Sequence, residues 1–106
     1  MKIISSQRFL DQEIVNDKIA EMTENGVTSI SLPIYNAGYR DLDDDDLFIL
    51  IDGHHRLAAA REMGIEIKFD DITAQNEFGI LTGEELLADR YMDSNWYDIE
   101  TGIDIW

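Results

Sequence analysis

The chain has 106 residues, the size of one small domain, and 44% of them are hydrophobic, so a single packed core is expected. Eight Lys and Arg against 23 Asp and Glu leave a net charge of −15, which opposes direct DNA or RNA binding and an acidic membrane surface, because both rely on cations placed against phosphate. There is no cysteine, which excludes disulfides, thiolate zinc sites and a cysteine nucleophile; with no signal-peptide pattern and no apolar run of the roughly 18 residues a membrane span needs, a cytoplasmic location is expected.

Ile14, Val15, Ile19 and Met22 recur at helical spacing and Gly26 follows as a stop, which predicts a helix from Asn16 to Asn25. From Thr28 to Tyr35, Ile30, Leu32 and Ile34 alternate with other residues as in a strand with one buried face. Pro33 has no backbone donor, which predicts an edge position or a bulge there. Asn36-Ala37-Gly38 reads as a turn, and Asp41 to Asp46 then packs five aspartates into six positions. Leu47 to Ile51 is an unbroken apolar run, the mark of a strand covered on both faces. It runs directly into Asp52-Gly53 and a helix that opens with His54, His55 and Arg56 and stops at Gly64. Ile65, Ile67 and Phe69 alternate with charged residues and predict a further half-buried strand. Thr82-Gly83-Glu84-Glu85 has the form of a capping box, so a last helix is placed from there to about Met92. Asp93 to Trp106 has no clear period; its aromatic and aliphatic residues are expected to fold back over the sheet. The sum is one α/β (α+β) domain with a mixed sheet, residues 1–72 forming its core and 73–106 a C-terminal helix and acidic, aromatic tail on the same domain.

The junction from Leu47 to Gly64 carries the most chemistry. A helix amino end presents unpaired backbone donors and a partial positive charge, and so favours phosphate or carboxylate. Gly53 allows a tight turn and close approach of an anion to the backbone. His54, His55 and Arg56 add side-chain donors, the guanidinium being able to take two phosphate oxygens at once. The plainer alternative is that Asp52 caps the helix, the two histidines lie exposed and Arg56 pairs with one of the many carboxylates. Economy of charge favours the anion site, since a chain with only eight cations places a histidine pair and an arginine in one turn.

The segment Ile51-Asp52-Gly53-His54-His55-Arg56-Leu57-Ala58-Ala59-Ala60, closed by Gly64 and followed by a strand, resembles the signature of the ParB N-terminal/sulfiredoxin-like superfamily. The order upstream of it agrees, and the resemblance covers about Ile3 to Ile72. It implies a turn and helix start that cradle the phosphates of a nucleoside triphosphate, ATP or CTP, with or without Mg²⁺. Members include partition proteins, sulfiredoxin, a free serine kinase and ParB-like nuclease domains. On this resemblance Gly53, His55 and Arg56 match the phosphate-binding turn, and Lys18 matches a nucleotide-contacting lysine. Glu13 is a candidate base by its position near the first helix, as in the kinase branch. His54 stands where sulfiredoxin has cysteine, so reduction of sulfinic acid is excluded. Nothing after Ile72 is long or basic enough for the DNA-binding and dimerisation segments of partition proteins. If the chain is an enzyme, phosphoryl transfer or triphosphate hydrolysis follows most naturally, with His55 and Arg56 steadying phosphate charge and Asp52 orienting a histidine or holding Mg²⁺.

Other constellations are weaker. The aspartate run fails as a calcium loop because its sixth position is Asp46, not glycine, and an apolar strand follows. His54 and His55 are adjacent, so on a helix they diverge by about 100° and do not readily share a metal. No serine stands in a nucleophile-elbow context, and Thr82 is better used as a cap. The acidic tail with Trp96, Tyr97, Ile103, Ile105 and Trp106 supports an alternative function: a non-catalytic acidic module, an inhibitor, an immunity-type protein or a nucleic-acid mimic, that binds a basic protein partner.

Overall fold

A computed structural model of the chain describes residues 1–41, 43–75, 85, 87–88 and 90–105. Its elements are β1 (Lys2–Ser5), α1 (Gln12–Glu24), β2 (Ser29–Arg40), β3 (Asp46–Leu50), α2 (His54–Met63), β4 (Glu66–Asp71), a 3₁₀ turn (Thr73–Gln75) and β5 (Tyr97–Asp98). The strands form one mixed sheet in the order β4-β2-β3-β1-β5. β1 runs parallel to β3 and β4 parallel to β2, while β2 is antiparallel to β3 and β5 to β1. The domain is thus of the mixed α+β class read from the sequence. No helix among the described residues is long and apolar enough to cross a membrane.

Alternation sorts the side chains onto two faces. Ile30, Leu32 and Ile34 of β2, Phe48 and Leu50 of β3 and Ile3 of β1 meet Val15 and Met22 of α1 and Leu57, Ala59 and Ala60 of α2. The opposite face gathers Ile4, Tyr35, Ala37, Leu47 and Ile49 under Ile72 and Trp96. β3 is buried on both sides, with Leu47 through Leu50 at 8% exposure or less, as its unbroken apolar run requires. The small side chains of Ala59 and Ala60, both fully buried, let α2 lie close to the sheet.

Three readings are corrected. α1 begins at Gln12 because Asp11 caps it, accepting a bond from the Glu13 amide at 2.9 Å; sequence periodicity had missed that first turn. Asn36-Ala37-Gly38 is a bulge within β2, not a turn: the Asn36 side chain accepts from the Gly38 amide, Gly38 has φ 81°, and the register shifts between Asn36 and Arg40. The reversal comes later, where the Asp41 carboxylate accepts from the amides of Asp43 and Asp45. Pro33 lies in an interior strand, not at an edge. It is tolerated because β3 ends opposite it: Ile51 donates to the Pro33 carbonyl at 3.1 Å, and the chain then leaves the ladder where a second bond would have needed the missing donor.

β1, the 3₁₀ turn and β5 had no counterpart in the sequence reading. Of the capping box at 82–85 only Glu85 is described, and much of the helix placed behind it lies outside the described residues; Glu85, Leu87 and Ala88 are helical, and Tyr91 and Met92 have no regular structure. Trp96 and Ile99 are buried, whereas Ile103 is 67% exposed.

Candidate functional site

β1 and β3 are parallel, so their carboxyl ends reach the same rim of the sheet and deliver Ser5 and Asp52 to neighbouring positions. At that rim the chain turns through Gly53, whose φ of 89° and ψ of 25° lie in left-handed space. A Cβ on Gly53 would sit 2.6 Å from Leu32 Cδ2, so the turn is pressed against the core. α2 therefore starts on top of β2.

Gly53 is the N-cap of α2, and no side chain among the described residues caps it. The first intrahelical bond runs from the Leu57 amide to the Gly53 carbonyl at 2.8 Å, leaving the amides of His54, His55 and Arg56 without partners within the helix. Asp52, the capping residue of the plainer reading, accepts from the Gly53 amide at 2.7 Å instead. That bond shapes the turn and leaves the helix end open.

An open cleft of about 340 Å³ lies over this end. Asp52, Gly53, His54, His55 and Arg56 form one wall, α1 supplies Ile14 and Lys18, and Gln7 and Pro33 close the ends. Six of the seven residues proposed from sequence for catalysis or phosphate binding thus converge; the seventh, Glu13, is exposed on α1 and does not line the cleft. The Arg56 side chain is exposed and makes no ion pair or hydrogen bond among the described residues. Lys18 has one loose ionic neighbour among the described residues, Glu21 at 4.0 Å. Lys18 and Arg56 also border a second cleft of about 440 Å³, where Met22, Val27 and Ile30 mix with Asn25, Ser29 and Ser31.

The two histidines differ. His55 Nε2 accepts from the Asp11 amide at 3.2 Å, so this ring ties the start of α1 to the start of α2 and keeps one nitrogen for other contacts. His54 Nε2 lies 2.6 Å from Ser5 Oγ. Burial pushes the His54 imidazole below its ordinary range, with His55 adding to the effect and the carboxylates of Asp52 and Asp93 opposing it. Asp52 acts on His54 through its charge, and its hydrogen bond goes to Gly53.

Sequence reasoning missed Ser5, Gln7 and the position of Pro33, because β1 is too short to show a period and its partners are far along the chain. No group of three or more His, Asp or Glu side chains able to hold a metal exists among the described residues. Asp52 is the one carboxylate lining the cleft among them. The donors present fit a Mg²⁺ ion that arrives with phosphate oxygens and keeps much of its water, not a preformed cage. No family model, curated protein or solved structure matches this chain.

Proposed function

We propose that the chain is a small nucleotide-binding domain of the ParB/sulfiredoxin type, which holds the phosphates of ATP or CTP, with Mg²⁺, at the open amino end of α2 and uses them in phosphoryl transfer or triphosphate hydrolysis. One observation carries this reading: in a chain with 23 acidic residues, Arg56 stands unpaired among the described residues at a helix end that none of them caps, facing a cleft that Lys18 borders from the other side. A phosphate group there would receive backbone amides of α2, the helix dipole and two cationic side chains. The adjoining cleft, part apolar and part amide and hydroxyl, suits a nucleoside.

Calorimetric titration with ATP, CTP and ADP, with and without Mg²⁺, tests the reading. Saturable binding is expected, weakened at least tenfold in Arg56→Ala, since one charge-assisted hydrogen bond contributes about 1.5–3 kcal/mol. Absence of binding by all three nucleotides overturns it.

A second reading, the acidic module for a basic partner, draws on the tip of the β2–β3 hairpin, where Asp43 and Asp44 are 82% and 79% exposed. Its mark would be affinity for a cationic protein that falls steeply with added salt.

A further inference from the structure

Ser5 and His54 form a close pair that phosphate binding alone does not use. Ser5 ends β1, and its Oγ lies 2.6 Å from His54 Nε2 while also accepting from the Gln7 amide at 3.0 Å. With that amide in place and the Tyr97 hydroxyl also beside Oγ, the Ser5 proton can pass to Nε2 when His54 is in the tautomer protonated at Nδ1. Tyr97 holds the arrangement from behind by donating its hydroxyl to the Gln7 carbonyl at 2.5 Å. Ser5 is only 2% exposed, yet it lines an inner chamber of about 170 Å³ that adjoins the phosphate cleft through Gln7, Asp52 and His54. Arg90 lines the same chamber. A serine hydroxyl held against an imidazole is the arrangement that activates a nucleophile. Here it stands beside the helix end that collects anionic oxygen.

We propose that Ser5 is a phosphoryl acceptor, with His54 as its general base and a nucleoside triphosphate as donor. The proposal rests on the nucleotide reading above. Ser5 Oγ attacks the terminal phosphorus, forming an O–P bond as its proton passes to His54 Nε2. The bond from that phosphorus to the bridging oxygen breaks, and the nucleoside diphosphate leaves with the electron pair. Arg56 and Lys18 offset the charge that collects on the leaving oxygens. The product is phosphoserine at position 5.

The test incubates the full chain with ATP or CTP and Mg²⁺, digests it, and locates phosphate by fragmentation of the peptide from Ile3 to Arg8, which separates Ser5 from Ser6. Calorimetry of the same samples records nucleotide binding independently. Phosphate on Ser5 is expected in the wild type, absent from a Ser5→Ala variant that still binds nucleotide, and at least tenfold slower to appear in His54→Gln, whose amide can keep the bond to Ser5 without taking its proton. Nucleotide binding without phosphate on Ser5, or with phosphate elsewhere, overturns this proposal and leaves the nucleotide reading standing. No binding by either nucleotide overturns both.

Discussion

Replacing Gly53 by alanine separates two demands that one residue meets at the start of α2. The first is conformational: a Cβ at φ 89° and ψ 25° costs about 1–2 kcal/mol, as left-handed backbone does for L-residues. The second is steric, because the new Cβ lies 2.6 Å from Cδ2 of Leu32, a fully buried side chain that cannot swing aside without repacking the core. Overpacking of that kind costs about 1–3 kcal/mol. Gly64 at the other end of α2 has φ 71° and ψ 25° but no atom within 4 Å of its would-be Cβ, so Gly64→Ala carries the first cost alone. The entropy that alanine removes from the unfolded chain is common to both variants and cancels in their difference. In urea or thermal unfolding, Gly53→Ala should therefore be the less stable by about 1–3 kcal/mol, roughly 4–12 °C in melting temperature at about 4 °C per kcal/mol. In a Leu32→Val background, which removes the reach of Cδ2, the gap between the two glycine variants should largely close. Equal losses for the two variants in the wild-type background would refute the claim that the α2 start is pressed onto β2.

Two pH effects follow from the charged groups. Burial lowers the His54 imidazole below its unfolded value, so its contribution to stability is complete above the ordinary imidazole range and is lost as pH falls through the folded value; the His54 Cε1–H titration by NMR should show a midpoint below that of an unfolded-state peptide, and His54→Gln should flatten stability between neutrality and mild acid. Asp41 is held below the usual carboxylate range by its bond to Lys2 and by the backbone amides of Asp45 and Asp43. Its contribution persists above the ordinary aspartate range and fades as pH falls through the lower, folded value, and Lys2→Ala should move the Asp41 titration midpoint back upward in carboxyl NMR.

What could be read from the sequence was what a stretch of chain decides alone. The LFILI run has to be covered on both faces whatever its partners, and it forms the middle strand. The Gly53 turn and the opening His-His-Arg of α2 are contiguous, so their meeting at one cleft was legible, and Lys18 joined them through family resemblance. Asn36 to Gly38 misled because the same amide-to-side-chain bond and the same positive φ serve a hairpin turn and a bulge equally; only the continuing pairing of Arg40 with Asp46 distinguishes them. β1 was invisible for a related reason. Four residues carry no period, and their strand character comes from β3 and β5, which flank them from more than 40 residues away. The Ser5–His54 pair inherits that distance, being 49 residues apart in sequence.

The net charge of −15 and an anion site are compatible because charges act locally. At physiological ionic strength exposed charges are screened beyond about 8 Å, so the cleft responds to its own lining more than to the whole surface. Several cations are neutralised elsewhere: Lys2 by Asp41 and Asp43, Arg8 by Asp104, Arg40 by Asp44 and Asp46. Arg56 is left to the cleft, with Lys18 opposite and Asp52 as the one opposing carboxylate among the described lining residues. The same distribution selects by ligand length. A nucleic-acid duplex carries a charge about every 1.7 Å and would have to continue past the cleft across an acidic surface. A nucleotide's charge would end within a few ångströms of the helix terminus proposed to hold it, so the acid surplus that repels the polymer leaves the small anion admissible.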